Sequence, residues 1–536
     1  LAAEFDYIVV GAGSAGCVLA ARLSEDAGVR VALVEAGGPD DDPDIRVPLH
    51  AARLLGTSMD WGFTTVPQSG LAGREVYWPR GKVVGGSSSV NFQMWVPGHR
   101  DDYDPWVAAA GPEWSWDAVR PYFRRSERWA GDQADGHTYG TDGPLWISPP
   151  RDPDPSTARF LDACADLGLK EVPGGIGGPD HTGSSLTPLN QSNGARWSAA
   201  DGYLRPALER GNLKVLTGAQ VRRVLLHDGR ATGVELAGQT LTARREVILC
   251  AGAVGSPHLL MLSGIGDADH LRAAGVTPLV DLSGVGRNLQ DHVAVDLVRD
   301  AAVPVRLATA DTPAHRERYD QHRLGPLTSN MTEAVAFLRA DGGSGPPDLE
   351  LIWAPVAFTE EGPTGAGFTV AVVLLQPDST GRITLADADP ATPPRIDPGY
   401  LTEPSDVDRL RAGLRFADRL LRGEALSPLL ADQPPLPGSD DELGELVRAR
   451  AETLFHPVGT CRAGRADDPD AVVDPHLRVR GVAGLRVVDA AVMPRLPRGH
   501  THATTVMIAE RAADLIRADA GAPAAADHPP TTREPA

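Results

Sequence analysis

Lysine is almost missing from this 536-residue chain: it occurs only at Lys82, Lys170 and Lys214, within 51 basic residues outnumbered by 71 acidic ones. The resulting formal charge of −20 excludes nucleic acid as a main partner, because phosphate binding needs a net basic face. Cysteine is scarce too. Cys17, Cys164, Cys250 and Cys461 lie far apart, with no zinc spacing and no dense disulfide framework, which predicts a cytoplasmic setting and no metal site. No apolar run approaches the ~18 residues of a transmembrane helix. No charged and apolar leader precedes the first strand pattern, so neither a membrane span nor a secretory signal is expected. What is present, 42% hydrophobic and 23% charged residues, is the balance of a globular protein rather than a disordered chain. The length is about three times that of one ordinary domain.

Residues 5–10 form a short apolar run rich in β-branched side chains and read as a buried strand. Gly11-Ala12-Gly13-Ser14-Ala15-Gly16 follows, then helical spacing over 17–24 and a second strand over 29–34 that ends at Glu35. In this context Gly11 permits a tight turn, Gly13 lets the backbone approach a pyrophosphate, and Gly16 lets helix and strand pack closely. The helix N-terminus stabilises phosphate charge, and Glu35 accepts hydrogen bonds from an adenosine ribose. A dinucleotide site is the expectation. Residues 37–100 are loop-like, which is uncommon in an ordered domain unless the loop covers a ligand. Within it, Arg80 to Asn91 is a second small-residue segment whose glycines let the backbone lie against a planar or phosphorylated ligand. Further on, strands are expected at 213–216, 221–226 and 246–249. Short strands at 333–338, 349–353, 368–375 and 382–385, without long helices between them, predict an antiparallel or mixed sheet in a second unit. Helices are expected at 410–421, 441–454 and 504–518.

Residues 81–104, with Gly85-Gly86, hydroxyl residues, Asn91, Trp95 and Gly98, resemble the first signature of the glucose–methanol–choline (GMC) oxidoreductases. Residues 252–266 resemble the second signature. The blocks at 284–292, ending in Asp291-His292, and at 455–461, with His456-Pro457-Val458-Gly459-Thr460, also look like family blocks. The resemblance runs from about residue 4 to 518. It implies an α/β composite: a Rossmann-type FAD-binding domain assembled from segments 1–155, 196–300 and 448–518, and a substrate-binding domain from 156–195 and 301–447, with an antiparallel or mixed sheet covered by helices. Residues 519–536 read as a disordered tail.

By the same resemblance the cofactor is FAD. Its contacts map onto Gly11, Gly13, Ser14, Ala15, Gly16, Glu35 and Ala36 of the first turn, and onto Trp61, Arg80, Val84, Gly86, Ser88 and Asn91 of the loop. Val221, Gly252, Asp489, Ala490, Thr501 and His502 complete them. Choline oxidases carry a flavin-linked histidine before this asparagine. Here that residue is Val90, whose aliphatic side chain cannot form the bond, so the FAD is expected to be non-covalent.

Oxidising an alcohol requires loss of the hydroxyl proton and departure of a hydride to flavin N5. A neutral histidine suits the first task. The resemblance assigns the base to His456 and the second active-site position to His502, with His502 donating to the substrate oxygen and His500 facing away. Two adjacent imidazoles are not readily charged together. Glu333 falls where choline-handling relatives place a carboxylate for the substrate ammonium. Aromatics are only 5% of the chain, however, and no aromatic cage is legible, so a neutral primary alcohol is the first reading of the substrate. The electron acceptor is oxygen, or a quinone or protein. A choline-like amino-alcohol dehydrogenase or oxidase is the alternative, and a hydroxynitrile lyase on the same scaffold and an inert flavin-binding protein are the further rival readings.

Overall fold

The computed structural model describes residues 3–132, 138–172, 174–359, 362–432 and 434–521. The apolar runs near the N-terminus become the strand Ala3–Val10, the helix Ser14–Leu23 and the strand Val31–Val34. These belong to a parallel sheet in the order Leu213–Leu216, Val31–Val34, Ala3–Val10, Gln239–Leu249 and Leu485–Val487. Its inner strands are buried on both faces, which is why they read as continuous apolar runs rather than alternating ones.

The register aligns Val10 with both Val34 and Leu249, and Leu249 with Val487. Four strands therefore end on one line, and the glycine turn, Glu35, Gly252 and Asp489 follow those four ends. Parallel sheets bind ligands in the crevice beyond their carboxyl ends, so the fold gathers these dispersed residues at one edge. The first half of Gln239–Leu249 also carries an antiparallel ribbon, Arg230–Leu236 and Arg223–His227. Arg230–Leu236 is absent from the sequence reading because Arg230, Thr232 and Glu235 interrupt its apolar run.

The second sheet has six strands, all antiparallel, in the order Glu452–Thr453, Val293–Asp300, Gly367–Leu374, Leu349–Ala354, Ala334–Leu338 and Gly183–Leu186. Two of these strands come from segments that the sequence reading gave to the FAD-binding domain: Val293–Asp300 from 196–300 and Glu452–Thr453 from 448–518. The helix expected over 441–454 is Asp440–Arg450, because the chain leaves it to supply that edge strand. Arg382–Thr384 lies outside the sheet, paired with Arg395–Asp397.

The helix Pro404–Leu421 covers one sheet face. Its approach is close enough that a methyl group on Gly413 would lie 2.5 Å from a Val372 methyl. Side chains alternate along a strand, so Val295, Leu351, Trp353, Val370 and Val372 pack into the main core. Ala294, Asp296, Ile352, Ala354, Thr369 and Ala371 point the other way. All four cysteines are buried and free. Among the described residues no cluster of three potential metal ligands occurs, and no helix is long and apolar enough to cross a membrane. The last helix runs Thr501–Asp519, so Asp519 belongs to it rather than to the tail expected over 519–536, and residues 522–536 lie outside the described residues.

Candidate active site

A cavity of about 860 Å³ is lined by the glycine turn and by the face of the antiparallel sheet that points away from the main core. Gly11 adopts φ +100°, and a methyl group there would lie 2.5 Å from Cys250 O; one on Gly16 would lie 1.8 Å from Gly11 O. Only glycine permits this turn and this helix packing. A methyl group on Gly86 would strike Gly13 Cα at 2.6 Å, so the two glycine loops touch.

Glu35 braces this half. One carboxylate oxygen accepts Ala12 N–H at 2.7 Å and the other Gly37 N–H at 2.8 Å, while burial pushes its pKa up. Asp489 accepts from Gly252 N, Ser256 Oγ and Ala491 N at 2.6–2.8 Å, and burial pushes it up to about 6. Asn91 Oδ1 accepts from Arg196 at 2.8 Å and from Gln93 N at 3.0 Å, which leaves its amide N–H groups for the cavity. His502 Nδ1 lies 2.9 Å from Ser14 Oγ and its ring stands edge-on to Trp95. Its buried Nε2 has no partner among the described residues.

The first turns of the helices Ser14–Leu23 and Thr501–Asp519 carry no side-chain cap, and both border the cavity. Two open helix N-termini, a bare glycine face and an orphaned imidazole nitrogen fit a phosphate-bearing, hydrogen-bonding cofactor such as FAD. Gly11, Gly13, Ser14, Ala15, Ala36, Trp61, Arg80, Gly86, Ser88, Val221, Gly252, Ala490 and Thr501 all line this cavity. Gly16 and Val84 do not. Gly16 serves helix packing, and Val84 is buried with its N–H on Gly38 O at 3.0 Å. Lys82, 4.5 Å above the Trp61 ring, joins the wall without having been expected.

His456 is on the wall of the same cavity. The segments around residues 290 and 458 run antiparallel, with mutual backbone hydrogen bonds between Gln290 and Val458. Two residues outward along that register, His292 faces His456, and their Nδ1 atoms are 2.9 Å apart. Asp291 accepts His456 N–H at 2.7 Å, and Arg80 donates to Phe455 O at 2.5 Å, where Phe455 takes the left-handed φ of +65°. Burial holds the His456 pKa well below the usual histidine value, reinforced by His500, His292 and Arg80.

Of the two histidines before and within the last helix, the one in contact with His456 is His500, with ring centroids 4.7 Å apart, and not His502. His500 N–H is tied to Val96 O at 2.9 Å and its Nε2 lies 3.0 Å from the fully buried Glu350. The two residues do face apart, as their spacing predicts, but in the opposite sense. His500 is the extended cap of the last helix, and His502, about 200° further round, turns toward Ser14.

Glu333 is also corrected. It is fully buried and accepts from Asp154 N at 2.7 Å, Thr157 Oγ1 at 2.6 Å and Ser329 Oγ at 2.6 Å. The adjacent Thr332 is the one on the cavity wall, so alternation turns Glu333 inward. The rest of that wall is largely apolar: Phe92, Met94, Ile352, Ala354, Phe358 and Ala371, with Asp296 among them. Asp296 has no hydrogen bond or ion pair among the described residues, and burial, with Glu452 adding to it, pushes it up to about 6. Sequence reasoning missed His292, although the polar pair Asp291-His292 closing a glycine-rich block was the available signal.

Comparison with known proteins places the chain in a family. Two GMC oxidoreductase family models match residues 5–294 and 377–509. A GMC-type oxidoreductase of Mycobacterium tuberculosis is 47% identical over 530 residues, 96% of this chain and 99% of that one. An alcohol dehydrogenase [acceptor] of Pseudomonas putida is 39% identical over 531 residues, 96% of this chain and 95% of that one. Among solved structures, pyridoxine 4-oxidase from Mesorbium loti superposes with a TM-score of 0.87 at 35% identity, covering 95% of this chain and 98% of that one.

Proposed function

The chain belongs to the GMC oxidoreductases, a family of FAD-dependent enzymes, and we propose that it oxidises a primary alcohol to an aldehyde. The observation that carries this reading is the His456–His500 contact on the wall of the same cavity whose glycine turn and open helix ends fit FAD. When bound, FAD supplies the hydride acceptor. His456 is neutral at working pH because burial and its neighbours oppose a charge, so it can receive the hydroxyl proton. His500, fixed by Glu350, holds the alcohol oxygen beside it, the part that the sequence reading gave to His502. The apolar sheet face packs against the carbon skeleton and excludes water. A neutral aliphatic or aromatic alcohol fits that face best. Under anaerobic conditions such an alcohol should bleach the yellow enzyme. Cyanide release from mandelonitrile without bleaching would instead support a lyase.

Asp296 supports a second reading, an alcohol that carries an amine. It sits four residues beyond His292, roughly 13 Å along a strand, without a cation to pair with. An amino-alcohol spanning that distance would then lose at least tenfold in kcat/KM on Asp296→Asn, while a neutral alcohol of equal length would not. Equal response of both alcohols would leave the neutral reading alone.

A further inference from the structure

His292 has no assigned part in the reaction, yet its surroundings determine where its hydrogen sits. We infer that His292 is a positioning residue that locks His456 as the Nδ1–H tautomer, making Nε2 the nitrogen that receives the hydroxyl proton. This rests on the reading of His456 as the base.

The argument runs from acceptors outward. His292 Nε2 lies 2.9 Å from Leu375 O and 3.1 Å from Pro497 O. Carbonyl oxygens only accept, so Nε2 must carry the hydrogen. The ring is completely buried, and burial pushes its pKa down to about 3, with His500 adding to the effect, so the ring is neutral. A neutral imidazole with hydrogen on Nε2 has a lone pair on Nδ1. That lone pair faces His456 Nδ1 at 2.9 Å, which must therefore donate. His456 is neutral too, so its own lone pair is left on Nε2.

The opposite tautomer of His292 would aim a lone pair at two carbonyl oxygens and a hydrogen at His456. The two carbonyls come from separate segments, one following the strand Gly367–Leu374 and one in the loop before His500, so both would have to move. In the reaction the substrate O–H bond breaks and the Nε2–H bond forms on His456. The Nδ1–H···Nδ1 hydrogen bond then becomes charge-assisted without His292 ionising. The charged or titratable groups around this pair are His500, Arg80 and Asp291, and none of them supplies an alternative acceptor for His456 Nδ1.

The direct test is a long-range ¹H–¹⁵N spectrum of deuterated, ¹⁵N-histidine-labelled holoenzyme, with the His456 signals assigned by their loss in His456→Ala. The expected result is hydrogen on Nδ1 of His456 and on Nε2 of His292. An Nε2–H His456, or two tautomers in comparable amounts, overturns the inference. A kinetic arm compares His292→Phe, which fills the ring space but accepts nothing, with His292→Gln, whose amide oxygen can accept. If the competent tautomer falls to about a tenth of the population, flavin reduction in His292→Phe slows about tenfold. The pH profile should shift and KM should change little, with the rate largely restored in His292→Gln. A wild-type rate and pH profile in His292→Phe, beside a slow His456→Ala, refutes the tautomer lock and leaves the base in place. A wild-type rate in His456→Ala refutes the base itself.

Discussion

Asp291 holds the His456 loop from inside: one carboxylate oxygen accepts the backbone N–H of His456 at 2.7 Å, and the other accepts the hydroxyls of Thr453 and Tyr400. The carboxyl is buried, and burial pushes it up to about 6. Asp291→Ala leaves three buried donors without an acceptor. It should cost about 3 kcal/mol of stability, measured by denaturant unfolding of the holoenzyme, and slow flavin reduction by freeing His456. Unchanged stability would show that these three bonds are readily replaced by water.

The reversal of His500 and His502 predicts two different phenotypes. His500→Ala should keep FAD through gel filtration but slow its reduction by alcohol ~100-fold, the scale of a positioned proton-handling group. His502→Ala removes the imidazole beside Ser14 and the open helix end, so it should lower the FAD-to-protein ratio more than the reduction rate. The opposite pairing of effects contradicts the assignment.

Stability should fall on mild acidification, with His181 as one cause. This ring is completely buried against Phe337 at 4.4 Å and His99 at 5.6 Å, and burial, with His99 adding to it, pushes its pKa down to about 3. The folded pKa is depressed, so the unfolded chain binds the extra proton. The contribution is complete above about pH 6.5 and is lost as pH falls toward 3. At pH 5 the loss is about 2 kcal/mol. His181→Phe should flatten the difference in unfolding free energy between pH 7 and pH 5 by that amount; an unchanged slope would place the acid sensitivity elsewhere.

Val90 lines the cavity and packs with Ile45, Leu54 and Val83, so no nucleophile stands at the position where choline oxidases attach flavin. Acid denaturation should release all the flavin into the supernatant. Colour remaining in the precipitate would require a tether elsewhere on the wall.

The nucleotide end was legible because its signals are local. The glycine turn, its flanking strands and Glu35 lie within 35 residues, and parallel strands buried on both faces leave continuous apolar runs. The histidine end was legible only in part. His456 was found through its block, but the choice between His500 and His502 depends on Val96 O fixing the helix cap. The fate of Glu333 depends on which way one strand starts, and a shift of one residue inverts it. His292 owes its place to a register between segments about 170 residues apart, which no local pattern displays.

The central claim is that His456 takes the substrate proton beside bound FAD. Anaerobic stopped-flow reduction of the flavin by a saturating primary alcohol, comparing the parent enzyme with His456→Ala at matched FAD content, tests it most directly. The account predicts a rate at least ~100-fold lower in the variant, with the oxidised flavin spectrum retained. Equal reduction rates in the two proteins would contradict it.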